Sequence, residues 1–225
     1  SVLRTIPHGV SSWKVMTKTP YLTKSRYING LQCQKMLWLG WHEPLPYTDP
    51  EPGSPQQVGT IIGERAQLLF PGGVLIDEVP WEHELAVERT RDLMADPTTP
   101  AIFEAAYEYG GIRIRADIME RLGENAWGLR EVKSSSRVKT SYVDDVGVQL
   151  YVLRGLGIEV PSIELIHINT AYVRGDHGIH WPSLFSRVDL TFDAISCCRD
   201  VEARSSHFFD VLDDRNQPEI IAGKQ

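Results

Sequence analysis

Arg113-Ile-Arg-Ala-Asp117, a turn containing Gly123-Glu-Asn125, and then Glu131-Val-Lys133 form the stretch whose reading decides the fold. Ile112, Ile114, Ala116 and Ile118 alternate with Arg113, Arg115, Asp117 and Met119, the period of a β-strand with two distinct faces. Ala126 to Lys133 repeats that period, with Trp127, Leu129, Glu131 and Lys133 expected on one side. Antiparallel pairing of the two strands sets Asp117 beside Glu131, with Lys133 two residues further along the same face. Carboxylates and an amine gathered at strand ends suit metal-assisted phosphodiester cleavage.

Working outward, Ala101 to Tyr109 reads as a strand, and Gly110-Gly111 as a hairpin turn, since glycine adopts positive φ at low steric cost. Thr23 caps a predicted helix reaching about Leu39. Five prolines from Pro44 to Pro55 then forbid regular structure. Helices are expected over Gln56–Phe70, Glu82–Ala95, Ser141–Leu156 and Asp189–Leu212. A short strand is expected at Val74–Ile76 and a strong one at Ile163–Val173, with a turn from Arg174 to Gly178 into another short one. Helix, three strands, helix, strand is the order of an α/β domain, a mixed sheet flanked by helices. One domain is expected over 43–225, with 1–42 as a basic extension and helix packed on the core.

The chain has 225 residues and a net charge of −7. Ser1 to His42 nevertheless contains no acidic residue, while Arg4, Lys14, Lys18, Lys24, Arg26 and Lys35 are basic and Trp13, Tyr21, Tyr27, Trp38 and Trp41 lie among them. Such a segment can track phosphates and stack on bases, or can equally be a solvated arm whose aromatics pack inward. Arg137 and Lys139 follow the second strand. No apolar run is long enough to span a membrane. Three cysteines, two of them adjacent, do not make a disulfide framework, and a reducing cytoplasmic compartment is expected.

Asp117 and Glu131 are the expected ligands for one or two Mg²⁺ or Mn²⁺ ions, joined by the main-chain carbonyl of Val132. Lys133, desolvated beside them, is expected to have a lowered pKa and to orient or deprotonate the attacking water. Glu64 lies between Ile61 and Leu68 at helical spacing, so its carboxylate is expected to face partly inward. Gln149 shares a face with Val146 and Leu153. Glu104 either faces the site from the neighbouring strand or is an ordinary charged strand residue. Asp144 and Asp145 suit the opening of a helix.

The series Glu64, Asp117, Glu131-x-Lys133, Gln149 resembles the PD-(D/E)XK nuclease superfamily, in its RecB-like branch, which includes CRISPR-associated iron–sulfur exonucleases. Leu22-Thr-Lys-Ser-Arg26, Gly30-Leu-Gln-Cys33, Pro71-Gly-Gly73, Arg115-Ala-Asp117 and Gln149-Leu-Tyr151 look closer still to a bacterial family of unknown function, in which this module begins a longer protein. The resemblance covers roughly Leu22 to Arg174. It implies a restriction-endonuclease-like fold, with Glu64, Asp117 and Glu131 as metal ligands, Lys133 as catalytic, and Gln149 positioning Lys133 or substrate. It further implies exonuclease action on single-stranded or fraying DNA, RNA being the other candidate substrate, with further domains C-terminal. The alternative is an inactive nucleic-acid-binding module of the same fold. Cys33 resembles the first cysteine of the cluster-binding members. Either the other cluster ligands lie beyond this sequence, or Cys33 is a buried helix cysteine and there is no cluster.

Overall fold

Gly110 and Gly111, at φ 58° and 74°, turn one strand back on the next with two residues. This conformation matches the twist of a hairpin, and side chains with a Cβ resist it. The turn fixes the register of everything beside it. A computed structural model describes residues 19–46, 48–176 and 178–219. Arg4, Lys14, Lys18 and Trp13 of the expected basic arm lie outside the described residues.

Along the chain the elements are β1 (Leu22–Thr23), α1 (Lys24–Gln32), α2 (Gln34–His42), α3 (Pro55–Ala66), β2 (Val74–Leu75), α4 (His83–Ala95), β3 (Ala101–Tyr109) and β4 (Ile112–Arg121). They continue with β5 (Ala126–Lys133), α5 (Thr140–Gly155), β6 (Glu159–Ile168), β7 (Phe185–Asp189), α6 (Thr191–Cys198) and α7 (Val201–Asp213). The fold is α/β: a mixed seven-stranded sheet in the order β2-β3-β4-β5-β6-β7, with β1 paired to β4, flanked by helices. This arrangement is compatible with a restriction-endonuclease-like fold. The β2–β3, β5–β6 and β1–β4 pairs are parallel and the others antiparallel.

Two apolar clusters hold the layers together. The larger joins the sheet to α1, α2, α4, α5, α6 and α7 and contains Leu22, Tyr27, Leu37 and Trp38. The smaller sits on the opposite face, where Ala66, Ile62 and Phe70 meet Phe103, Ile118, Ile166 and Phe185. Residues 22–42 therefore share the main core. The Thr90 hydroxyl accepts from the Ala106 N–H at 2.9 Å, so α4 satisfies a backbone donor that would otherwise lie on an open sheet edge.

The simple alternation expected along β4 breaks at Asp117. Ile112, Ile114, Ala116 and Met119 pack in the larger cluster, but Ile118 packs in the smaller. β3 changes facing at the same level: Ile102, Ala105 and Tyr107 belong to the larger cluster and Phe103 to the smaller. The pairs Phe103↔Ile118 and Ala105↔Ala116 keep one register across the change, so Glu104 stands opposite Asp117. Glu104 has φ 56°, the only described non-glycine residue in the left-handed region. A single left-handed residue turns the strand over without adding a residue to the ladder.

Several boundaries differ from expectation. The helix predicted from Thr23 is two helices, because Cys33 is extended (φ −165°, ψ 118°) and ends the first by donating its N–H to the Asn29 carbonyl. The last helix also divides, at Arg199-Asp200. β6 begins and ends earlier than its apolar run suggested, and 174–178 contributes only a Gly175↔Gly178 bridge. The partner of β6 is instead β7, which short apolar content and Pro182 conceal in the sequence.

On the face of β5 opposite Glu131, Arg130 is 3 % exposed. It reaches Glu120 at 2.8 Å, Glu164 at 3.2 Å and the Ser162 hydroxyl at 2.9 Å. Its guanidinium lies where a Cβ on residue 128 would be, which explains Gly128. Removing the cation leaves Glu120 without its partner and Glu164 with Arg187 alone, so Arg130→Met is expected to destabilise by about 2–3 kcal/mol. Gly128→Ala is expected to destabilise less, by about 1–2 kcal/mol, through displacement of the guanidinium. Urea unfolding at unchanged m-value would check both.

Candidate active site

β4 is paired along its whole length on one side by β3, but on the other side it is shared. β1 pairs with its start (Leu22↔Ile112, Thr23↔Arg113) and β5 with its end, from Ile118↔Arg130 to Arg121↔Trp127. Between them lies a fork. Asp117 sits at its mouth, one residue past the last β4–β5 pair, and continuation of the register places it opposite Glu131. Here β5 has moved out of ladder range, and the Asp117 carboxylate instead accepts the Val132 N–H at 2.7 Å. Glu104, Asp117 and Glu131 thus form a row of acids across three neighbouring strands.

The first residue of α1 enters the fork from the β1 side. Lys24 Nζ lies 3.2 Å from Glu131 Oε1 and 3.1 Å from Asp145 Oδ1. Lys133 Nζ lies 2.6 Å from both Glu131 Oε1 and Asp145 Oδ2. Gln149 Nε2 donates to Glu131 Oε2 at 2.7 Å and to Asp145 Oδ1 at 3.2 Å. Glu131 is 1 % exposed and Gln149 fully buried, and the Gln149 Oε1 has no hydrogen-bond partner.

Burial opposes charge on Glu131, but the Lys24 and Lys133 ammonium groups outweigh it and hold its pKa low. Asp117 lacks such partners. Burial, and then the Glu131 charge, push its pKa up, and Lys24 offsets this only in part. Glu104 is raised by burial, against the pull of Lys24 and Arg115. For Lys133, burial lowers the pKa but Glu131 and Asp145 win, so it is raised. The expected lowered pKa is therefore corrected. Lys133 is held as a cation, because two carboxylates lie within hydrogen-bond distance.

On the α3 side, a cavity of about 680 Å³ opens onto Glu64, Glu104, Asp117, Val132 and Lys133. Gly59 and Gly63, one helical turn apart, face it, and a Cβ on either would meet no atom within 4 Å. Val132 turns its N–H toward Asp117, and in a strand the carbonyl of the same residue points to the same side. Its oxygen is thereby aimed at the fork.

The structure brings together Asp117, Glu131, Lys133 and Gln149 and sets Val132 on the cavity wall. Glu64 is corrected in part: it is exposed rather than turned inward, because Ile62, Ala66 and Leu69 form the buried stripe of this segment while Ile61 and Leu68 are exposed. It still lines the cavity, across from Asp117. Glu131 does not line it and lies on the α5 side with Lys24 and Gln149, while Lys133 reaches it from the cavity wall. Among the described residues no three His, Cys, Asp or Glu side chains are grouped closely enough to hold a metal as they stand. The carboxylate row is balanced by ammonium groups instead.

Lys24 and Arg26, expected to contact nucleic acid, both have partners within the chain. Lys24 is committed to Glu131 and Asp145. Arg26 donates to the Tyr21 and Gly40 carbonyls at 3.4 Å and stacks on the rings of Tyr21 and Trp41, stapling the start of α1 to α2. Lys35 is half-buried on α2, whereas Arg137 and Lys139 are exposed on the loop after β5. Cys33, Cys197 and Cys198 are free, half-buried thiols. No helix among the described residues is long and apolar enough to cross a membrane.

Asp145 was read as a helix-opening acid and is instead a buried partner of both lysines. Its position four residues before Gln149, on the same helical face, is the signal that marks it. Glu104 was readable from the hairpin register alone. Lys24 carries no local signal.

No protein-family model matches the chain, and no curated protein matches it in sequence.

The acid row stores repulsion that Lys24 and the Val132 N–H relieve incompletely at Asp117. Asp117→Asn keeps the shape and an acceptor for the Val132 N–H, so in chelator it is expected to melt above the wild type by a few degrees. Because the folded-state pKa of Asp117 is raised, the wild type loses stability as pH climbs above the ordinary carboxylate range, and the gap should widen in that direction. Thermal melts from pH 5 to 8 check the sign. A lower melting temperature for the variant would mean that the charged carboxylate is itself structural.

Proposed function

We propose that the protein is a divalent-metal-dependent nuclease of the PD-(D/E)XK type, RecB-like branch, acting on DNA. The observation that carries the reading is the alignment of Asp117 with Glu131 where β4 and β5 part, with Lys133 and Gln149 on Glu131 and a cavity of about 680 Å³ beside Asp117. The donor set suits a hard cation: the carboxylates of Glu64, Glu104, Asp117 and Glu131 and the Val132 carbonyl are the oxygen ligands that Mg²⁺ and Mn²⁺ take. Asp117, Glu131 and Val132 would hold the ion, with Glu64 or Glu104 completing its shell. Such an ion, when bound, supplies an activated water and charge neutralisation at the phosphate.

The chain's own residues divide the remaining work. Lys133, kept protonated, places a positive charge where negative charge develops on the phosphate or leaving oxygen, and does not act as a base. Gln149 fixes the rotamer of Glu131 through its 2.7 Å bond. Lys24 neutralises the acid pair Glu131 and Asp145, so that the fork folds without an ion. Exposed Arg137 and Lys139, close in sequence to Lys133, can guide a phosphate backbone toward the cavity. Single-stranded or fraying ends are the favoured substrate. RNA is the alternative polymer.

A second reading has one observation in its favour: Glu131 is already satisfied by two lysines and a glutamine, as in a binding module whose acids are structural. End-labelled DNA and RNA with and without Mg²⁺ or Mn²⁺ separate the two. Under the nuclease reading, Glu131→Ala and Lys133→Ala each lose about 10²-fold or more of the cleavage rate, and the double variant loses little beyond either. Salt-sensitive binding with no metal-dependent cleavage would identify the binding module, and fully additive losses would mean that the two residues do not serve one site.

A further inference from the structure

A second cavity, of about 230 Å³, lies on the other side of Lys24 from the acid row. Its walls include Lys24, Arg113, Arg115 and His83, together with Thr23 and Ser25, the cap and first turn of α1. Among the described residues no acidic one lines it. The volume is that of several water molecules at roughly 30 Å³ each, enough for a phosphate group with part of its hydration.

Each cationic wall is fixed from behind. Arg115 Nη2 donates to the Glu78 carbonyl at 2.9 Å and Nη1 to the Glu104 carbonyl at 3.4 Å, so its hydrogen bonds go to neutral oxygens, and the nearby Glu104 and Glu78 carboxylates act on its charge without a direct ion pair. Arg113 stacks on the Tyr21 ring at 4.3 Å and meets Glu108 at 2.9 Å. His83 is 6 % exposed, and its Nε2 has no hydrogen-bond partner, Glu108 lying 3.7 Å away. Burial and the two arginines hold His83 neutral, with its pKa down to about 4. A buried polar atom without a partner carries a free-energy cost unless something completes it. The first N–H groups of α1 have no intrahelical acceptor, and with the helix dipole they favour an anion at this wall.

We infer that this cavity is a phosphate-group subsite for a nucleic-acid strand, held by Arg113, Arg115, His83 and the first turn of α1. The inference rests on the nuclease reading for its ligand and names where that ligand is gripped. β4 links the two sites directly, since Arg115 lies two residues before Asp117. A protonated oxygen of a terminal phosphate can donate to His83 Nε2 while the arginines donate to the others; an internal diester carries no such proton and would be held by the arginines and the first turn of α1 alone. The phosphate is either the terminal group of the strand or one of its internal diesters.

The test is a titration of the whole chain with inorganic phosphate, in chelator at constant ionic strength, following the ¹⁵N signals of the His83 imidazole. A saturable shift is expected, and Arg115→Gln or Arg113→Gln is expected to raise the apparent Kd at least tenfold. The absence of a saturable shift in the wild type would overturn the subsite whatever the variants do. Displacement of phosphate by a 5′-phosphorylated oligodeoxynucleotide but not by its 5′-hydroxyl counterpart assigns a terminal phosphate. Equal displacement by both assigns an internal diester, and displacement by neither overturns the strand as ligand. Metal-dependent cleavage is read separately. Cleavage without phosphate binding sinks the subsite alone, and phosphate binding without cleavage sinks the nuclease reading alone.

Discussion

A carboxylate buried as deeply as Glu131 can stay ionised only if cations are brought to it, since an isolated charge in the interior is prohibitively expensive. Much of the architecture follows from that constraint. β5 supplies Lys133 two residues along. α5 crosses the same face to supply Gln149 and Asp145. The segment before α1 must reach the sheet so that Lys24 falls into the fork. β1 is only two residues long, yet it pairs with β4 and thereby delivers that ammonium. The five charged or polar groups neutralise one another more completely than any pair could, which is why Gln149 and Asp145 tolerate burial.

Asp117 stands just outside this balance. It is half-buried, it faces Glu104 and Glu131, and only Lys24 and the Val132 N–H temper its environment. The left-handed φ of Glu104, directly opposite, marks the same point as one of local strain, and the two strands turn over there together. Strain and uncompensated acid at one place are features that packing alone does not favour. On the proposed reading they are the cost of leaving oxygen donors open toward a cavity that Gly59 and Gly63 keep clear.

Lys24 is the link between the two faces of the proposed function. On one side it closes the acid network, and on the other its backbone and side chain form part of a cavity with Arg113 and Arg115. A strand held at that cavity would lie along β4 toward the acid row, so grip and chemistry would share one rigid element. Sites built on strands in this way hold their geometry better than sites on loops.

The core hairpin and the identity of most site residues were legible in the sequence. The alternation leading up to Asp117, the Gly110-Gly111 turn and the E-x-K spacing place Asp117, Glu131 and Lys133 together, because hairpin register and strand period are local properties. The register even contained the opposition of Glu104 and Asp117. Gln149 was legible as a polar residue on an apolar helical face, and by the same logic so was Asp145. What only the tertiary structure decided has a common physical origin in contacts between distant segments. Nothing near Lys24 or Arg26 distinguishes a lysine that will be drawn into a buried ion network, or an arginine that will staple two helices, from ones left to solvent. The charge state of Lys133 depended on Glu131 turning its carboxylate onto the ammonium and on Asp145, twelve residues away, joining it, which reversed the local expectation. The facing of Glu64 depended on which stripe of α3 met the sheet, and the break at Cys33 on packing that a continuous apolar stripe does not reveal.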